Sequence, residues 1–90
     1  MATIRLAPVL RPFAGGAKQV SAEGSTLGEV LTDLYQRYPA LKDQIQPEGE
    51  LSRFVNVYVN DQDVRYLQKL ETSVVASDTV TLLPAMAGGF

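Results

Sequence analysis

Thr26-Leu27-Gly28-Glu29-Val30-Leu31-Thr32-Asp33-Leu34-Tyr35-Gln36-Arg37-Tyr38-Pro39 is the stretch on which the fold turns. Its first four residues have the spacing of a capping box. The Thr26 hydroxyl can accept from the Glu29 amide, and the Glu29 carboxylate can reach back to the start of the helix. Apolar side chains recur at Leu27, Val30, Leu31, Leu34, Tyr35 and Tyr38, intervals that predict an α-helix with one buried face. Pro39 ends the run, because proline disfavours helical geometry in the residue before it. Ala40 to Gln46 leaves room for a short helical turn, and Gln46-Pro47-Glu48-Gly49-Glu50 reads as a polar loop.

On the N-terminal side, Ala2 to Leu10 predicts a strand, with Ile4 and Leu6 on one face and Thr3 and Arg5 on the other. Arg11-Pro12-Phe13-Ala14-Gly15-Gly16 carries turn chemistry, and Lys18 to Ala22 returns as a second strand to give a hairpin. On the C-terminal side, Arg53 to Asn60 alternates strictly. Val55, Val57 and Val59 share one face; Phe54, Asn56, Tyr58 and Asn60 share the other. Asn60-Asp61-Gln62-Asp63 reads as a turn and Val64 to Leu70 as a short irregular or strand segment. Ser77-Asp78 turns into a last strand, Thr79 to Leu83. One main helix against one mixed sheet is an α+β arrangement, and it leaves one sheet face open to partners.

The chain is 90 residues, 46% hydrophobic and 20% charged, the balance of one small globular domain. A formal charge of −2 without a basic run offers no footprint for nucleic acid or an anionic membrane. No apolar stretch is long enough to span a bilayer, and the first ten residues lack the pattern of a signal peptide, so a soluble cytoplasmic protein is expected. The chain has no cysteine and no histidine. That removes the thiolate nucleophile, the commonest general base and the usual ligands of a transition metal. A carrier, adaptor or subunit, not an enzyme, is the class that remains.

The sequence closes on Ala87-Gly88-Gly89-Phe90, directly after the last predicted strand. Paired glycines have no Cβ and lose the most backbone entropy when ordered, so they suit a thin terminus that enters a narrow site. A domain over 1–84 with a flexible tail over 85–90 is therefore expected.

The element order resembles the β-grasp, or ubiquitin-like, fold. The Gly88-Gly89 ending after Thr79-Val80-Thr81-Leu82-Leu83-Pro84-Ala85 is similar to that of the prokaryotic sulfur carriers of the ThiS and MoaD type. Leu10-Arg11-Pro12, Arg53 to Asp61, Asp63-Val64-Arg65 and Leu83 to Gly89 most resemble the actinobacterial CysO-type carriers of cysteine biosynthesis. That resemblance implies a mechanism. An E1-like partner would use ATP and Mg²⁺ to adenylate the Gly89 carboxylate, and sulfide or a persulfide would then displace AMP to leave a thiocarboxylate. The acceptor in CysO-type systems is a PLP enzyme, and a JAMM-type metalloprotease releases the product. Gly89 would be the reacting terminus, with Gly88 and Ala87 allowing close approach. Ala85 to Gly89, if extended, spans about 15 Å. Phe90 departs from the family pattern, which ends at the second glycine, and is read as a residue removed before activation. Delivery of sulfur to thiamin, molybdopterin or a secondary metabolite, and a ubiquitin-like modifier, are the competing readings. The free protein is expected to be a monomer.

Phe54, Tyr58 and Leu83 should lie together on the sheet face opposite the valines, forming with Ala85, Met86 and Ala87 a docking surface for the activating enzyme. Asp61-Gln62-Asp63 is too sparse for a calcium loop and is read as turn chemistry. Arg53 and Arg65 are read as surface charges and Gly15-Gly16 as a turn, since no phosphate loop accompanies them.

Overall fold

A computed structural model describes residues 1–84. Strands β1 (Ala2–Leu6), β2 (Gln19–Ala22), β3 (Val55–Val59), β4 (Gln62–Asp63) and β5 (Thr79–Pro84) form one mixed sheet in the order β2-β1-β5-β3-β4. The central pair, β1 and β5, is parallel, with Ile4 opposite Val80 and Leu6 opposite Leu82. The other neighbours are antiparallel. Helices α1 (Leu27–Arg37) and α2 (Pro39–Ile45) follow the first hairpin, and α1 covers one face of the sheet. This is the β-grasp arrangement.

The core follows the two periods read from the sequence. Leu27, Val30, Leu31 and Leu34 of α1 are fully buried, as are Ile4, Val80 and Leu82 of the sheet. Burying each such side chain contributes about 1.5–3 kcal/mol, which is why the alternation of β3 and β5 fixes which face turns inward. Tyr35 and Tyr38 pack at the edge of that core. The Tyr35 hydroxyl donates to Gln46 Oε1 at 2.7 Å, and Gln46 Nε2 donates to the Gly49 carbonyl at 3.1 Å, fastening the polar loop to α1. Burial pushes the Tyr35 hydroxyl well above its ordinary value of 10.0.

The cap of α1 differs from the expected box by one residue. Thr26 Oγ1 accepts from the Glu29 amide at 3.2 Å, as the spacing requires, but the Glu29 carboxylate accepts from the Ser25 amide at 2.8 Å and the Ser25 hydroxyl at 2.9 Å. These bonds hold the Glu29 carboxyl below its ordinary range. Gly24 makes the cap possible: its φ is +154°, and a Cβ there would stand 2.6 Å from the Val30 nitrogen. The Thr72–Val74 segment completes the junction, since the Leu27 amide donates to the Thr72 carbonyl and the Val74 amide to the Ser25 carbonyl.

Several boundaries correct the sequence reading. The first strand stops at Leu6, and Arg11–Ala14 forms a 3-10 turn closed by Gly15 at φ +65°. Pro12 at the second position of that turn is tolerated, because its missing N–H falls among the first amides, which have no partner within the turn. Pro39 likewise ends α1 and opens α2, so the expected single turn is a seven-residue helix. Asn60–Asp63 is not wholly a turn: Gln62–Asp63 pairs with Tyr58 and Val59 as β4. Val64 to Leu70 contains no strand; Val64–Tyr66 and Lys69–Glu71 are 3-10 turns.

Both outer edges of the sheet are closed by arginine. Arg37 Nη2 donates to the Ser21 carbonyl of β2. Arg65 Nη2 donates to the Val55 carbonyl at 3.2 Å and to Asn56 Oδ1 at 2.7 Å, along the part of β3 that two-residue β4 leaves uncovered. Arg65 is thus an edge cap, which the reading of a plain surface charge misses.

Candidate functional site

The uncovered sheet face and the strand end where the described chain stops make the candidate site. Strand alternation turns Thr79, Thr81 and Leu83 of β5 outward while Val80 and Leu82 point into the core. Asn56 stands opposite Leu83 and Tyr58 opposite Thr81. Leu83 is 38% exposed, Tyr58 half-buried, and Phe54, in the turn just before β3, is 68% exposed. The Arg53 guanidinium lies 5.2 Å from the centre of the Phe54 ring, within cation–π range. Tyr58 and Leu83 therefore share one face at the end of β5, and Phe54 stands exposed in the turn that leads into β3. Ala85, Met86, Ala87, Gly88, Gly89 and Phe90 lie outside the described residues, as does the expected tail over 85–90.

The charge around this site was not visible in the sequence. Because β1 and β5 are parallel and each is flanked by antiparallel strands, Leu6, Gln19, Val55 and Pro84 come to one end of the sheet. Arg5, Arg11 and Lys18 meet there, while Arg53 and Arg65 line a separate pocket together with Glu50, Glu71 and Lys69. A groove of 380 Å³ beside Leu83 is lined by Arg5, Arg11, Lys18, Pro8 and Thr81, and no carboxylate lines it. The opposite end carries Glu23, Asp61 and Asp78. Asp78 accepts from the Val75 amide and the Asn60 side chain, both at 3.0 Å, which holds its carboxyl below the ordinary range. The one available signal was the alternation that turns Arg5 outward; Arg11 and Lys18 fall in a connection whose path is set by tertiary packing.

Asp63 does what a turn-forming carboxylate does: its Oδ1 accepts from the Arg65 amide at 2.9 Å and caps the 3-10 turn at Val64. Among the described residues no three acidic side chains are grouped as metal ligands would be, and no helix is long and apolar enough to cross a membrane.

The ThiS family profile matches residues 4–89. The chain belongs to the ThiS family. Proteins of this type are small substrate-like carriers and not enzymes. The chain is 47% identical over 90 residues to the sulfur carrier protein CysO of Mycobacterium tuberculosis, covering 97% of each chain. The crystal structure of that protein superposes with a TM-score of 0.89 over 94% of this chain and 99% of that one, at 45% identity. CysO in the Amycolatopsis orientalis BexX/CysO complex gives a TM-score of 0.90 at 42% identity, over 94% of this chain and 96% of that one. Small archaeal modifier protein 1 of Methanosarcina acetivorans gives 0.86 at 32% identity, over 98% and 95%.

Proposed function

We propose that this chain is a sulfur carrier of the CysO type. The observation that carries the reading is the near-full-length likeness to the mycobacterial sulfur carrier, together with a family match that runs through Gly88 and Gly89 and stops short of Phe90. Removal of Phe90 exposes the Gly89 carboxylate. A carboxylate is a poor electrophile, so an E1-like enzyme joins it to AMP from ATP with Mg²⁺, releasing pyrophosphate. Sulfide then displaces AMP and leaves the thiocarboxylate; an enzyme persulfide displaces AMP to give an acyl disulfide, which a second enzyme thiol cleaves to the thiocarboxylate and an enzyme disulfide. An acceptor synthase carrying a PLP-bound electrophile takes the sulfur, with cysteine as the product, and a JAMM-type metalloprotease trims or releases. The domain is the handle by which each enzyme holds the terminus, and Phe54, Tyr58 and Leu83 supply the apolar part of the grip, continued by Ala85, Met86 and Ala87.

Intact-mass measurement of the untagged protein from its native host tests this. Loss of Phe90 with one oxygen exchanged for sulfur supports the carrier. A population that keeps Phe90 and no sulfur, even under sulfur limitation, removes its chemistry. The likeness to small archaeal modifier protein 1 favours one second reading, attachment of Gly89 to lysines of other proteins. Isopeptide-linked adducts in lysate would mark it.

A further inference from the structure

We infer that the groove lined by Arg5, Arg11 and Lys18 beside Leu83 is an acid-reading docking site, which the adenylating partner fills with carboxylate side chains flanking an apolar one. The inference rests on the carrier reading and adds the chemistry of the partner's surface. Three observations carry it. The lining holds three cations and no carboxylate, in a protein whose formal charge is −2. Arg11 is half-buried and its Nε donates to the Leu6 carbonyl at 3.0 Å, which fixes the guanidinium and leaves its outer N–H fork for a carboxylate. The groove also sits at the strand end from which residue 85 continues, while Glu23, Asp61 and Asp78 stand at the far end. An acidic partner surface is therefore drawn to the groove beside Leu83 and repelled where Asp61 and Asp78 stand. Electrostatic complementarity of this kind sets encounter rate and register more than chemistry once bound.

The test uses the chain ending at Gly89 and the ATP-dependent activating enzyme encoded by the same genome, with ATP–pyrophosphate exchange followed against carrier concentration. Lys18→Glu and Arg5→Glu should each raise the carrier KM, and together lower kcat/KM roughly tenfold, with kcat little changed. The loss should shrink as salt rises from about 0.05 M to about 0.3 M, as screening demands. Lys69→Glu, in the separate pocket that also holds Glu50, Arg53 and Glu71, makes the same charge change outside the groove and should leave KM unaltered. Circular dichroism checks the fold; if Arg5→Glu disturbs β1, Lys18→Glu, exposed and outside the strands, carries the test. Unchanged KM in the groove variants, or an equal effect from Lys69→Glu, overturns the docking site while wild-type exchange keeps the carrier reading. Absence of exchange by the wild-type chain overturns both.

Discussion

Leu82 and Leu83 are neighbours of one residue type in one strand, yet the sheet gives them opposite environments. Leu82 faces α1 and is fully buried; Leu83 faces outward beside the basic groove and is 38% exposed. The difference between the two faces comes from β1, β3 and β5 together. Ile4, Val55, Val57, Val59, Val80 and Leu82 turn toward the helix, whereas Thr3, Arg5, Asn56, Tyr58, Thr79 and Thr81 turn away from it. Stability resides on the first face and the proposed recognition uses the second, so the same substitution at adjacent positions should separate them.

The largest effect is expected at Leu82. Leu82→Ala should cost about 2–5 kcal/mol in urea unfolding, the range for a large-to-small change in a closed core. Leu83→Ala should stay within about 0.5 kcal/mol, as exposed positions do. Activation kinetics should reverse the order once the Leu82 variant is measured where it is folded, with Leu83→Ala raising the carrier KM. Equal unfolding midpoints would erase the distinction between the faces. Phe54→Asp sharpens it further, because it removes the exposed ring under Arg53 without touching the core: the unfolding midpoint should hold while activation weakens. Activation kinetics unchanged in a folded Phe54→Asp protein would take Phe54 out of the grip.

A smaller effect belongs to the start of α1. Thr26→Ala removes the acceptor for the Glu29 amide and should cost about 1 kcal/mol, measured as a shift of the urea midpoint. Because α1 lies on the buried face, that loss should leave the carrier KM at low salt unchanged.

The buried face was legible in the sequence and the outer face only in part, for a physical reason. Burial repeats with the period of the element, so Leu27, Val30, Leu31 and Leu34, and the valines of β3, declare their face through spacing alone. Tyr58 and Leu83 follow the same rule onto the other face, whereas Phe54, expected within the strand, sits in the turn before it and escapes the rule. Arg5, Arg11 and Lys18 obey no common period. They meet because β1 and β5 are parallel and the Ala7–Lys18 connection folds back over their end, where the Lys18 carbonyl accepts from the Leu6 amide. Arg65 escaped for a related reason: its role depends on β4 being two residues long, which leaves the Val55 carbonyl for a side chain to satisfy. The Pro39 boundary was seen, but proline both ends one helix and starts another, and spacing alone does not separate the two outcomes.

The smallest effect is a pH dependence that the inner layer and the far end of the sheet share and the basic groove does not. Glu29 is held by the Ser25 amide and hydroxyl, and Asp78 by the Val75 amide and Asn60. Each folded carboxyl binds its proton more weakly than its unfolded counterpart, whose ordinary values are 4.5 and 3.8. Their contribution to stability is therefore complete above those values. It is lost as pH falls through them and on through the lower folded values. The urea midpoint should decline from about pH 5 downward, where protonation begins to favour the unfolded chain. Glu29→Gln with Asp78→Asn should flatten that decline, and Lys18→Glu should leave its shape as it is above pH 5. A decline equally steep in the double variant would mean that other carboxylates set the acid limit of this fold.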